Sequence, residues 1–271
     1  MKATVVIAIY KDIEALNLIL KSLFNQSYQE EFEIIVAEDG CDPNVKRYID
    51  RLSHPNLLHT TQEDLGWRKN RSLNNAIKIA KGDMIIFLDG DCIPYSNFVE
   101  NYIKYFAPKR VLAGRRVELG YKYSKKLRSG KITPRELERN YLRYFFKLKR
   151  DNIRRYEEGI KFNHFFYKLR YQNKPSHILG CNFALNREDI LKINGFNEDY
   201  TNPSVGEDTD IQYRLLSIGC EIKPIRNRAN VFHLYHHEKY SKEDNEKSQE
   251  IFRVVKEKNE IVCKNGIKKL A

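Results

Sequence analysis

The eleven residues Met84-Ile85-Ile86-Phe87-Leu88-Asp89-Gly90-Asp91-Cys92-Ile93-Pro94 carry the reading of the whole chain. Five apolar residues that end in acid-Gly-acid and then proline read as a buried strand stopping at two carboxylates. In an open α/β sheet the ligand crevice lies beyond the carboxyl ends of the strands. Gly90 lets the backbone turn between Asp89 and Asp91, so both acids can address one divalent cation, with diphosphate oxygens as further ligands. A strand end with merely solvated acids has the same local pattern.

The flanking chain alternates strand and helix. Thr4 to Ile9 is a β-branched strand, and Ile13, Leu16, Leu20, Leu23 and Phe24 keep a helical period after Asp12, a natural N-cap. Phe32 to Glu38 is a second strand ending in the acid-rich turn Glu38 to Pro43. Asn44 to Leu52 reads as a helix, Asn56 to Thr61 as a short strand, and the run from Gly66 to Ala76 enters a helix closed at Lys81-Gly82. This order predicts a mainly parallel sheet with flanking helices. Neither Gly-x-Gly-x-x-Gly nor a Walker-type loop follows the first strand, which argues against dinucleotide and P-loop sites. Further on, Tyr95 to Phe106 reads as a helix and Arg110 to Val117 as one strand. The pattern resumes with a strand over Ile178 to Leu185, a helix over Arg187 to Ile193 closed by Asn194-Gly195, and a helix from about Thr209 to Ser217. A strand-like Glu221 to Ile225 follows, and a charged C-terminal helix packs back through Ile251, Val254, Val255 and Val262.

The 271 residues suit one large domain, divided here into a first α/β half (1–114), a basic aromatic insertion (115–175), a second half expected to hold the acceptor and catalytic groups (176–240) and a C-terminal helix (241–271). The net charge of +12 is concentrated: residues 115–174 hold 19 Lys or Arg against 6 Asp or Glu, which leaves the rest of the chain close to neutral. Within that segment Tyr141, Tyr144, Phe145 and Leu148, and again Phe162, Phe165, Phe166 and Leu169, form stripes at helical spacing. They suit amphipathic helices lying on an anionic membrane and presenting a lipid-diphosphate-linked acceptor, or helices packed on the sheet or in an oligomer interface. No recognised nucleic-acid motif accompanies the charge. Five scattered cysteines without a CxxC pair argue for reduced thiols and a cytoplasmic setting, peripheral on the inner face of the membrane if the stripes bind lipid. No apolar run approaches a membrane span.

Three constellations carry chemistry. His233 and His236 lie in a strand-like apolar context, Val231 to His237, where at least one can join Asp89 and Asp91 on a metal, and imidazole suits Mn²⁺ better than Mg²⁺. Gly206-Glu207-Asp208-Thr209-Asp210 opens a helix. One acid there is expected to serve the helix N-terminus, but three exceed that need, so Asp208 is assigned as a general base and Glu207 as an acceptor-hydroxyl ligand. Asp39 can accept hydrogen bonds from a base or ribose, or simply fix the Asp39-Gly40 turn. Arg68, Lys69 and Arg71 suit a diphosphate, or form a solvated basic face.

In this order the motifs resemble a family-2 glycosyltransferase of the GT-A fold. The resemblance rests on Ile9-Tyr10, Asp39-Gly40, Arg71 to Asn74, Phe87 to Asp91, Gly180-Cys181-Asn182-Phe183-Ala184-Leu185, Ile193 to Glu198 and Gly206 to Asp210. A His about 25 residues further on completes the likeness to the C-terminal module of β-1,4-galactosyltransferases, shared with chondroitin-polymerase-like bacterial enzymes. It implies an α/β GT-A fold and an inverting, Mn²⁺- or Mg²⁺-dependent transfer from a UDP-sugar to a glycan or lipid-diphosphate-linked acceptor. The donor would meet Ile9, Tyr10, Asp39, Arg68, Arg71, Asn74, Asp89, Gly90, Gly180 and Asn182. The metal would meet Asp89, Asp91, His233 and His236, and Asp208 would take the acceptor proton. Ser204-Val205-Gly206 stands where the family usually has Trp-Gly-Gly. A sugar-nucleotide-making nucleotidyltransferase would need a Gly-rich loop that is absent after Ile9. A haloacid-type phosphatase expects its Asp-x-Asp on the first strand, and a non-catalytic carbohydrate-binding relative would bind donor without turnover.

Overall fold

The computed structural model describes residues 1–171, 174–203, 206–237 and 241–270. Strand β1 (Ala3–Ile9) is an interior strand of a seven-stranded sheet, with α1 (Ile13–Phe24), β2 (Glu33–Glu38), α2 (Pro43–Leu52), β3 (Leu57–Thr60), α3 (Lys69–Ile79) and the central strand β4 (Met84–Asp89) following in order. Asp12 caps α1 as expected, accepting the Ala15 N–H at 3.0 Å. β1, β2, β3 and β4 run parallel, Ile9 pairing with Glu38 and Ala8 with Asp89, which brings both acid-bearing strand ends to one edge.

The rest of the chain adds β5 (Cys92–Pro94), α4 (Phe98–Tyr105), β6 (Arg110–Ala113), β7 (Arg116–Glu118), α5 (Tyr121–Arg128), α6 (Pro134–Arg139), α7 (Phe145–Lys149) and α8 (His164–Tyr171). Next come β8 (Asn182–Asn186), α9 (Arg187–Lys192), α10 (Glu207–Ser217), β9 (Glu221–Pro224), β10 (Val231–His233) and α11 (Lys242–Glu257). The large sheet has the order β3-β2-β1-β4-β8-β6-β9, with β8 antiparallel between β4 and β6. A second sheet, β5-β10-β7, carries the chain onward from the Asp-Gly-Asp turn.

Alternation along the central strands fills both faces. Val5 and Ile7 pack with Leu16, Ile19 and Leu20 of α1, whereas Val6 and Ile35 pack with Leu73, Ala76 and Ile77 of α3. The outcome is a three-layer α/β/α body, the GT-A arrangement expected from the sequence.

Three expectations change. The single strand over Arg110–Val117 is two strands in two sheets, because Gly114 N–H bonds the Asn182 carbonyl and the chain turns there. The two aromatic stripes of the insertion part company. Tyr141 and Leu148 are buried in the same core as β1 and α1, but Phe165, Phe166 and Leu169 stay 69%, 55% and 76% exposed while α8 buries Tyr167 and Tyr171 instead. At the C-terminus Val255 is buried but Val262 is exposed. Among the described residues no helix is long and apolar enough to cross a membrane, and all five cysteines are free.

Candidate active site

The site grows out of the end of β4. A Cβ on Gly90 would stand 2.5 Å from the Ala8 carbonyl, so only glycine lets the turn after Asp89 pass this close to β1. That turn sends the two acids in different directions. Asp91 meets the second sheet, where β10 pairs antiparallel with β5 and sets His233 opposite Cys92. His233 Nε2 and His236 Nε2 each lie 3.3 Å from Asp91 Oδ2. Ligand atoms of Asp91, Cys92 and His233 all fall within 4.8 Å of one another. Burial drives the Asp91 carboxyl upward, but the facing His233 and His236 imidazoles outweigh it and hold the group well below the usual carboxylate range. Burial pushes the Cys92 thiol far up, so it is a neutral neighbour rather than a thiolate. The Asp91 carboxylate with the His233 imidazole beside it, and His236 within 3.3 Å of the same carboxylate oxygen, is a donor set that fits a borderline divalent ion such as Mn²⁺.

Asp89 does not belong to this group. Its Oδ1 lies 2.7 Å from Lys69 Nζ, an ion pair without hydrogen-bond alignment, and Lys69 is the first residue of α3. Burial opposes the charge on Lys69, yet Asp89, Glu207 and Asp208, in that order, raise its affinity for the proton and keep it cationic. Asp89 is thus turned to Lys69, two residues along the chain from the Asp91 group.

The start of α10 brings two further acids within electrostatic reach of Lys69 and Asp89. Asp208 Oδ2 accepts the Gly180 N–H at 2.8 Å, and a Cβ on Gly180 would come 2.3 Å from Asp208 Oδ1. Glycine at 180 therefore makes room for the carboxylate. Glu207 Oε2 is buried with no hydrogen-bond partner. Burial and the adjacent Asp208 push the Glu207 carboxyl up to about 8, against the pull of Lys69. Asp208 is raised too, by burial, while Lys69 and the Gly180 N–H work in the other direction. The third acid of the triplet, Asp210, is 1% exposed and bonds Arg214 at 3.0 Å through Nε; Arg214 in turn donates to the Ile193 and Gly195 carbonyls. No side chain caps α10, so the three acids divide into one structural pair-former and two groups at the crevice.

Other expected donor contacts have different tasks. Asn74 is fully buried, its amide exchanging bonds with the Phe196 N–H and carbonyl and with Glu198; it fastens α3 to the 196–198 turn. Asn182 is also fully buried, taking the Tyr102 hydroxyl at 2.6 Å and donating to the Arg115 and Ala229 carbonyls. In this structure both side chains bond within the framework and present no surface to a donor. Asp39 accepts from Gln62 and from the Arg68 N–H, each at 2.7 Å, and so holds the entry to α3. Ile9 presents backbone only, its carbonyl accepting the Asp39 N–H at 2.9 Å. Tyr10 is 52% exposed beside Gly40 and hydrogen-bonds Asp64 at 3.3 Å. Arg68 and Arg71 line a cleft of about 410 Å³ along α3 with Lys78, Glu198, Tyr200 and Lys269, whose walls include neither Asp91 nor Asp208. Of the three cations singled out in the sequence, Lys69 is the one that enters the acid cluster. Its position as the first helical residue after Arg68 was the available signal. Ser204 and Val205, at the site of the departure from Trp-Gly-Gly, lie outside the described residues.

Comparison with known proteins agrees with this architecture. Residues 4–193 match the model of glycosyl transferase family 2, and residues 160–237 match that of the N-terminal domain of galactosyltransferase. The chain is 26% identical to a chondroitin synthase of Pasteurella multocida over 94% of its own length and 27% of that protein, and 24% identical to a chondroitin synthase of Escherichia coli over 89% and 35%. It thus spans about a third of the length of these relatives. Among solved structures it resembles a mannosyltransferase of Pyrobaculum calidifontis in complex with GDP-Man and Mn²⁺ (TM-score 0.56, 17% identity, 88% of this chain and 58% of that one). It also resembles S. aureus TarS 1-349 in complex with UDP (TM-score 0.59, 15% identity, 90% and 62%). With more than half of its residues matching the family model on a GT-A body, the chain belongs to glycosyl transferase family 2 and is a glycosyltransferase.

Proposed function

We propose that this enzyme transfers a hexose or N-acetylhexosamine from a UDP-sugar to a hydroxyl of a glycan or lipid-linked saccharide, with inversion, during synthesis of a surface polysaccharide. The observation that carries the proposal is the division of the crevice. Asp91, His233 and His236 form one group, Glu207 and Asp208 form another, and Lys69, paired with Asp89 two residues from Asp91, acts electrostatically on Glu207 and Asp208. An inverting transfer needs a cationic pole for the leaving diphosphate and a carboxylate for the attacking hydroxyl. A divalent cation held by Asp91, His233 and His236 would supply charge neutralisation at the diphosphate.

The protein's own groups account for the rest. Asp208, held by the Gly180 N–H and near Lys69, is the carboxylate placed to accept the acceptor hydroxyl proton as the new bond forms at the anomeric carbon. Glu207 keeps its proton near neutrality and serves as a hydrogen-bonding group toward the acceptor. Tyr10, exposed beside Gly40, offers a ring to the donor base. GDP-Man with Mn²⁺ in one similar structure and UDP in another support a sugar-nucleotide donor and a divalent ion, and chondroitin synthases among the relatives support the acidic-glycan setting. Peripheral contact with an anionic membrane finds support in α8, which exposes Phe165, Phe166 and Leu169 among Lys168 and Arg170. Flotation with phosphatidylglycerol vesicles at low salt tests that contact, and failure to float ends it.

The decisive test is UDP release from UDP-galactose, UDP-glucose, UDP-GalNAc and UDP-GlcNAc, with and without Mn²⁺, for the wild type and Asp208→Asn. Release that needs the metal and collapses in the variant supports the reading. No release from any of the four, with no metal-sensitive UDP binding, overturns it.

A further inference from the structure

The insertion contains a cleft apart from the crevice. Tyr123 and Lys126 of α5, Lys131 and Ile132 of the following turn, Glu136 of α6, and Tyr144 and Lys147 at α7 enclose about 220 Å³. The two tyrosine rings meet edge to face at 5.9 Å. Each carries a lysine: Lys126 lies 4.8 Å from the Tyr123 centroid and Lys147 lies 5.7 Å from that of Tyr144. The single acid, Glu136, accepts the Tyr144 hydroxyl at 3.2 Å, and among the described residues none of the three lysines pairs with a carboxylate. Three unneutralised ammonium groups around two ring faces are suited to a ligand that is both anionic and able to lay C–H surface on an aromatic ring.

The cleft is tied to the candidate active site through α5. Buried Asp151 caps the start of that helix, accepting the Lys122 and Tyr123 N–H groups at 3.0 and 2.8 Å. Leu119 N–H bonds the His233 carbonyl at 3.0 Å, and Ser124 Oγ accepts the Tyr235 N–H at 2.8 Å. At its far end Arg128 grips Asp12 with two bonds of 2.7 Å. Along α5, Lys126 is two residues past Ser124, which accepts from the segment that follows His233.

We infer that this Tyr123–Lys126–Lys131–Tyr144–Lys147 cleft is a binding site for an anionic saccharide or polyol chain, holding the acceptor at a distance from its growing end. The inference rests on the transferase reading above and names its acceptor class: a chain whose units bear carboxylates or phosphodiesters, not a neutral glycan. The neighbouring exposed tyrosine, Tyr121, which stands edge to face against Tyr235 at 5.9 Å, extends the track toward the crevice.

Binding without turnover separates this claim from the chemistry. Uronate-containing chondroitin oligosaccharides, polyribitol phosphate fragments and neutral maltohexaose are titrated against the wild type and the Lys126→Gln/Lys131→Gln/Lys147→Gln variant. At least one anionic oligomer should bind the wild type, more weakly as salt rises, and lose about tenfold in affinity in the variant. Whichever oligomer binds identifies the charged group. The variant should release UDP from the donor, without acceptor, at the wild-type rate. Equal binding by wild type and variant, or anionic oligomers binding no better than maltohexaose, overturns the inference. So does retention on phosphatidylglycerol vesicles alone that depends on the three lysines. Failure of the wild type to turn over any donor bears on the transferase reading and leaves the oligosaccharide titration standing on its own.

Discussion

Lys69 Nζ lies 2.7 Å from Asp89 Oδ1, so the first acid of the Asp-Gly-Asp turn is paired with the start of α3 while the second faces histidines from β10 and the segment after it. Two residues apart in sequence, the carboxylates face different partners. Lys69 also lowers the proton affinity of Glu207 and Asp208. Lys69→Met should therefore reduce kcat/KM by roughly 10- to 100-fold, move the acid limb of its pH profile to higher pH, and leave the fold intact. Lys69→Arg should recover part of the loss. An unchanged pH profile in the methionine variant would assign Lys69 to packing alone.

Glu207 gives a stability test with a defined sign. Burial first, and Asp208 second, raise its carboxyl from 4.5 to about 8 in the folded protein. Between those values the folded state holds a proton that the unfolded chain has released. The contribution is therefore full below 4.5 and is lost as pH rises through about 8. Thermal melts from about pH 6 to about pH 9 should show the wild type losing more than Glu207→Gln, with the variant the more stable at the alkaline end. Parallel melting curves at every pH would contradict a buried, protonated Glu207.

Much of this was legible in the sequence because the pattern and the physics coincide. The runs Thr4 to Ile9 and Met84 to Leu88 are buried on both faces, and uninterrupted apolar runs announce such strands. Asp12, Asn194 and Gly195 behave locally, as a cap and two left-handed turn residues. What the sequence did not carry was side-chain direction across long separations. Asn74 meets Phe196 across 122 residues and Asn182 meets Tyr102 across 80, so their polar character, which suggested ligand contact, is taken up by the framework. For the second aromatic stripe the sequence left open whether the body covers it, because helical spacing alone does not say which face packs; α8 buries Tyr167 and Tyr171 and leaves Phe165, Phe166 and Leu169 exposed.

Asn74 and Asn182 follow directly. Each makes three or more hydrogen bonds in a fully buried position, and removal leaves donors and acceptors unpaired. Asn74→Ala and Asn182→Ala should each cost about 2–3 kcal/mol of stability, while the folded fraction keeps the wild-type KM for the donor. A raised donor KM with unchanged melting temperature would restore them to the donor site.

The two histidines on Asp91 differ in how firmly they are held, and that sets the last expectation. His233 is 7% exposed and locked by β pairing opposite Cys92, whereas the His236 side chain is 43% exposed and lies beyond the strand. A donor fixed by the sheet loses little freedom when it binds a cation; a donor on a following segment must first be ordered. His233→Ala should therefore weaken the Mn²⁺ dependence of UDP release by at least the roughly 10- to 100-fold that loss of a supporting partner costs at metal sites, and His236→Ala by less. Both variants should fold, since neither ring belongs to the apolar core. Titrating Mn²⁺ into each while following UDP release gives the apparent affinity directly. Equal losses would mean that the segment after β10 is as well ordered around the ion as the strand itself. A larger loss at His236 would move the cation outward, away from Cys92 and toward the exposed edge of the crevice.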